Sequence, residues 1–230
     1  MTLGEALSDN LRCRDLPTRS DGVHDKTNQI VFRFGVMIVD KFILDSRKAI
    51  EAVSILVQLS PDRRISRKRL LAFLYLASRE CLKKSGRPLL GGRLVAMKYG
   101  PIHGDVYDLI NEKAGVEGSA EWSQHFHNDG YHVVLDADPG VNALSRFEVR
   151  TLTETLKKHE QEDDFDIAFQ THELAEYRMT YNGRPRTIPL EQIIHAVRLT
   201  PMAGTILRDL KEQQEIDAMF TSANAPIIKK

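Results

Sequence analysis

From residue 42 onward, apolar side chains recur at spacings of three and four, separated by turn-forming residues. Ser46 can cap a helix running to about Leu59, with Ala49, Ile50, Val53, Leu56 and Val57 on one face. Pro61 ends it. Ser66 starts a second helix whose apolar side is broad: Leu70, Leu71, Phe73, Leu74, Ala77, Cys81 and Leu82. Gly86 closes that helix through a left-handed residue, and Pro88 bars its continuation. Leu90-Gly91-Gly92 reads as a turn and Arg93 to Tyr99 as a short extended segment. Gly100-Pro101 breaks that segment, and Ile102 to Glu112 follows as a helix. Trp122–Phe126 and Tyr131–Leu135 flank Asn128-Asp129-Gly130, the signal of a β-hairpin. Ser145 can cap a helix to about His159, and Phe165, Ile167, Ala168 and Phe169 begin another. Pro189 suits the start of a helix through Val197, and Pro201 that of a final helix, Met202 to Phe220. The pattern predicts a mainly α fold: a single compact helical domain of about six or seven helices with a small β-hairpin.

That domain spans residues 42–220. Residues 1–41 are polar and aperiodic for most of their length and read as a partly disordered N-terminal extension, and residues 221–230 as a flexible tail. Ile30 to Val39 is rich in β-formers. Met37 stands where translation could also begin, which would leave residues 1–36 dispensable.

Hydrophobic residues make up 42% and charged residues 28%, shares that fit a soluble globular protein and exclude a wholly disordered one. Apolar runs such as Phe34 to Val39 fall far short of the ~20 residues of a spanning helix. The N-terminus lacks a signal-peptide pattern, and Cys13 and Cys81 are too few for a disulfide framework. A cytoplasmic protein without membrane association is expected. Thirty-two basic and 32 acidic side chains cancel, but unevenly along the chain. Residues 1–115 carry 20 basic and 13 acidic side chains, a balance of +7, and residues 116–230 carry 12 and 19, a balance of −7. The two halves either compensate each other within one fold or offer a basic and an acidic surface to partners.

Phosphate-loop, dinucleotide, nucleophile-elbow and His-Glu-x-x-His motifs do not occur. His125 and His127 on one strand, with His132 on the facing one, lack the Cys or carboxylate spacing that would reinforce a zinc site. No metal, cofactor or complete catalytic set is expected, so the chain is read as a binding protein and not an enzyme. The enzymatic alternative would join His172, Glu173 and Tyr99 or His103 as acid–base groups. Arg63, Arg64, Arg67, Lys68 and Arg69 form the densest basic run, placed where a nucleic-acid-binding regulator would contact phosphates. The stretch from Gly86 to Tyr107 holds six glycines and prolines within sixteen positions (Gly86, Pro88, Gly91, Gly92, Gly100, Pro101). Such restricted and permissive backbone builds either a tight structural corner or a recognition site. Arg87, Lys98, Tyr99, His103, Asp105 and Tyr107 on that corner, with His172 and Glu173, are the candidate partner-binding residues. Asp105 could instead cap the helix that follows.

Several of these stretches carry a family resemblance. Leu70-Leu71-Ala72-Phe73-Leu74-Tyr75-Leu76-Ala77-Ser78-Arg79-Glu80, Ser85-Gly86-Arg87-Pro88, Val95-Ala96-Met97-Lys98-Tyr99-Gly100-Pro101-Ile102-His103 and Asp105-Val106-Tyr107-Asp108-Leu109-Ile110 together resemble the Panacea domain, the SocA-like antitoxin domain of phage-associated proteins. Thr171-His172-Glu173 and Tyr177 resemble its second signature, with tyrosine where the family tends to have tryptophan. Ile102-His103-Gly104 stands where the family usually has Val-Pro-Ser. The resemblance implies the antitoxin half of a type II toxin–antitoxin pair, neutralising a cognate protein toxin encoded nearby by direct contact. Delivery of the toxin to the ClpXP protease is a further mode that it implies.

Overall fold

The computed structural model describes residues 42–223. The N-terminal extension, with Cys13, the apolar stretch to Val39 and Met37, lies outside the described residues. So does the end of the C-terminal tail.

Helix α1 (Ser46–Gln58) is apolar nearly all round, and every residue from Ala49 to Val57 is buried. A helix of that composition belongs inside. Asp45, not Ser46, is its N-cap, with the carboxylate accepting from the Lys48 N–H at 3.0 Å. Helix α2 (Arg67–Ser85) is capped by Ser66 and ended by Gly86 at φ 74°, as the sequence predicts. Helix α5 (Arg146–Lys158) opens on a reciprocal capping box of Ser145 and Glu148. These three helices and α6 (Asp164–His172) surround the larger core, which includes Ile50, Leu56, Leu70, Phe73, Leu74 and Leu152. A smaller core lies across α2. Tyr75 and Leu82 of α2 meet Leu94, Ala96, Tyr177, Ile188, Ile193, Ile194, Val197 and Ile206 there.

Two three-stranded antiparallel sheets flank the helices. One joins β1 (Arg64–Ser66), β5 (His132–Leu135) and β4 (Phe126–Asp129) in the order β1-β5-β4. The other joins β3 (Gly100–His103), β2 (Leu94–Met97) and β6 (Arg186–Thr187) in the order β3-β2-β6. The remaining helices are α3 (Gly104–Ile110), α4 (Ser119–His125), α7 (Ala175–Thr180), α8 (Leu190–Ala196) and α9 (Ala203–Ala223).

The mainly helical class is therefore as expected, with two differences in the count. Nine α-helices, not six or seven, occur among the described residues, and two small sheets take the place of one hairpin. Trp122 to His125 is helical because Gly118, at φ 85°, starts α4, and the Trp122 ring then packs, tilted, against that of Phe126 with centroids 4.4 Å apart one turn later. The strand begins only at Phe126. Gly100-Pro101 does not end the extended structure: the chain reverses at Lys98-Tyr99, and Gly100 to His103 form the returning strand β3, so the helix expected from Ile102 begins at Gly104. Pro101 sits on the edge strand β3, where a missing N–H is tolerated.

Two core polar residues behave differently. Cys81 is buried, and burial pushes its thiol up to about 11, so it is a packing residue. Glu51, 1% exposed, aims its carboxylate at three backbone N–H groups, those of Asn142, Ala143 and Leu144, at 2.8–3.0 Å. It thereby fixes the loop that leads into α5. Glu51→Ala leaves those donors without an acceptor and is expected to lower the unfolding free energy by about 3 kcal/mol in urea titrations. An unchanged urea midpoint would contradict this role.

Candidate functional site

The glycine–proline corner is a β-hairpin clamped at one end and abutted by α6 at the other. At the clamped end, Arg93 is the hub. Its backbone N–H and Nε donate to the two oxygens of Asp105 at 2.7 and 2.9 Å, and its NH2 group donates to Asp108 at 2.7 Å. The Asp105 hydrogen bond raises the guanidinium pKa further. Asp105 thus clamps the preceding strand and does not cap α3, whose N-cap is His103. His103 is fully buried, and its Nε2–H donates to the Gly91 carbonyl at 2.7 Å. Nδ1 is left without a partner. Gly92, at φ 72°, is required here, because a Cβ would come within 2.6 Å of an Asp105 oxygen and 2.8 Å of the His103 ring.

At the other end, Lys98 and Tyr99 form the two-residue turn between β2 and β3, and both are exposed. Gly100 follows at φ 113°, with no room for a Cβ against the Thr171 hydroxyl of α6. The His172 ring lies beside it, stacked on Tyr177 with centroids 4.9 Å apart and planes 3° from parallel, and Tyr177 stacks on Tyr181 at 5.3 Å. The Tyr177 hydroxyl donates to the Met97 carbonyl at 2.9 Å. The tyrosine that stands in for tryptophan therefore ties α7 to β2. His172 Nε2 is buried without a partner, whereas Glu173 is exposed and pairs with Arg178 at 3.4 Å.

The predicted residues thus fall into separate places. His103 and Asp105 close one end of the hairpin, and Lys98, Tyr99 and His172 gather at the other. The ends of β3 are roughly 10 Å apart at ~3.3 Å per residue. Arg87 is exposed just beyond α2, and Tyr107 is partly exposed on α3. His172 and His103 are not brought together as an acid–base pair would need.

Most of the basic run has partners within the fold. Arg69 donates to the His159 carbonyl at 2.9 Å and to the Glu162 carbonyl, and lies 3.8 Å from Asp164. Arg64 meets His132 Nδ1 at 3.0 Å and Asp129 at 3.2 Å. Arg67 reaches Asn111 at 3.4 Å. Lys68 lies over the Phe165 and Tyr99 rings at 4.4 and 5.3 Å, and Arg63 is exposed. Compensation within the fold thus accounts for Arg69 and Arg64. The three histidines considered for zinc also go separate ways. His125 ends α4 and bonds to the Ala137 carbonyl, His127 bonds to Asp136, and His132 to Arg64.

Two features escaped the sequence reading. Glu176, fully buried, accepts from the Tyr75 hydroxyl at 3.1 Å and from Arg79 Nε at 2.7 Å. Burial and the Glu176 charge together raise the Tyr75 pKa well above its ordinary value. The available signal was a tyrosine and an arginine four residues apart on a helix that is otherwise largely apolar. Phe165 and Phe169 begin α6 as predicted, but they face outward, and Ile167 and Ala168 carry its buried side.

Residues 70–177 match the family described as antitoxin SocA-like, Panacea domain. The matched span, just under half of the chain, runs from α2 through Tyr177 and contains both ends of the hairpin. The resemblance carried by the motifs is borne out there. Comparisons with curated proteins and with solved structures returned no match.

Burial holds the His103 pKa below the ordinary imidazole value of 6.5. The unfolded chain takes up a proton below pH 6.5 that the folded corner refuses, so His103's contribution is complete above 6.5 and is lost as the pH falls toward its folded pKa. Urea titrations between pH 7.5 and 5 are expected to show His103→Gln losing less stability on acidification than the wild type. Equal pH slopes would contradict this.

Proposed function

We propose that this chain is the antitoxin of a type II toxin–antitoxin pair, a cytoplasmic protein that neutralises a nearby-encoded protein toxin by binding it directly, with no chemistry of its own. The match of residues 70–177 to the SocA-like Panacea domain carries this reading. His103 lies at the opposite end of the hairpin from His172, which speaks against the acid–base set that includes it; Tyr99, which gathers with His172, is exposed on a turn, as suits a contact residue. The exposed residues of the corner, Arg87, Lys98, Tyr99 and Tyr107, with Glu173, are the ones available to a partner. His103, Asp105 and His172 serve by holding the backbone that presents them. Among the described residues no helix is long and apolar enough to cross a membrane, which agrees with a partner met off the membrane. A phage or prophage setting fits the same reading.

Co-expression with the product of the adjacent gene tests it. That product is expected to arrest growth alone, and this chain is expected to restore growth and to co-elute with it. A harmless neighbour, or toxicity that persists in the presence of this chain, would refute the proposal. The toxin's half-life in cells with and without ClpXP separates two modes. Masking leaves it unchanged, and adaptor delivery shortens it only where the protease is present.

A further inference from the structure

We propose that the exposed aromatic ridge formed by α6 and the β2–β3 turn is a docking surface for an acidic, apolar-bearing segment of the partner protein. This rests on the binding role above and adds the surface and the partner's chemistry. Phe165 and Phe169 lie four residues apart on α6 and share a face. They are 72% and 68% exposed. Tyr99, 58% exposed, lies across Lys68 from Phe165. The Lys68 ammonium is 4.4 Å from the Phe165 ring centre and 5.3 Å from that of Tyr99, and Lys98 approaches Tyr99 at 5.3 Å. Three rings and two ammonium groups are therefore contiguous. Single exposed apolar residues are ordinary, but a contiguous set marks a contact surface.

Charge specifies the occupant. Neither Lys68 nor Lys98 has a carboxylate partner among the described residues; Lys68 lies over the Phe165 and Tyr99 rings and Lys98 over that of Tyr99. The acids of α6 are otherwise engaged. Asp163 and Asp166 form its capping box, and Asp164 holds Ser66 and Arg69. At about 100° per residue, Asp166 lies beside the face shared by Phe165 and Phe169, and its carboxylate accepts from the Asp163 N–H at 3.3 Å. A segment that covers the ridge must bring carboxylates to the two lysines and apolar side chains to the phenylalanines. The position of the ridge agrees with this. Gly100, next to Tyr99, is fitted against Thr171 of the same α6, so turn and helix present the rings on one rigid support.

The test uses the full chain and the purified product of the adjacent gene, with association and dissociation followed by biolayer interferometry and mass by light scattering. Phe165→Ser with Phe169→Ser is expected to weaken binding at least ~10-fold. Lys68→Glu with Lys98→Glu is expected to slow association about 10-fold, with the wild-type rate falling as salt is added. Tyr131→Ser, at the exposed tip of the other hairpin, should change neither. Lys98→Glu alone lies on an exposed turn and serves as the reading if the paired serine variant folds poorly. Variants that all bind like the wild type would overturn the ridge and leave the antitoxin reading standing. A wild-type chain that does not bind would end both. A dimer that the serine pair turns into a monomer, with partner binding intact, would assign the ridge to a second copy and overturn the proposal.

Discussion

Helix α2 has to be buried on two opposite sides. Leu70, Phe73, Leu74 and Cys81 lie in one core, while Tyr75 and Leu82 lie in the other. Such a helix has little surface left for its polar groups, and they must be satisfied by segments that arrive much later in the chain. Arg79 and the Tyr75 hydroxyl are met by Glu176, Arg69 by the carbonyls of His159 and Glu162, and the Ser78 hydroxyl by the Leu89 N–H at 3.2 Å. An unpaired buried charge costs several kcal/mol, about 3–5 when one partner of a buried pair is removed. The polar partners of α2 therefore fix where α6, α7 and the segment before β2 can lie.

The two signature stretches become one structure for this reason. They are separated by some seventy residues in sequence, yet Gly100 touches Thr171, and Tyr177 bonds to Met97. Residues that look like scattered binding candidates divide by depth. His103, Asp105 and His172 are structural members of the joint, and Lys98 and Tyr99 are carried at its tip. On the proposed antitoxin reading, a partner would meet the exposed members, and His103, Asp105 and His172 would set how rigidly they are held.

Much of the fold was legible because it depends on local chemistry. The caps at Ser66 and Ser145, the stop at Gly86 and the turn around Gly130 follow from residue type at a given position. The misreadings occurred where tertiary packing overrode local pattern. The Asn-Asp-Gly hairpin signal predicts strand back to Trp122, but the left-handed Gly118 starts a helix there. α7 is only six residues long and has no periodicity to detect. The site was legible in part. The corner announced itself through glycine and proline, but Glu176 is an unremarkable acid in sequence. The outward aim of Phe165 and Phe169 depends on which side of α6 meets α2.

The central claim is that the joined signature face is where the partner sits. Hydrogen exchange of this chain, free and in complex with the adjacent gene's product, tests it most directly. Added protection is expected over residues 97–101 and 164–172, with the β4–β5 hairpin at 126–135 unchanged. Protection confined to that hairpin, with the joint exchanging as in the free chain, would contradict the account.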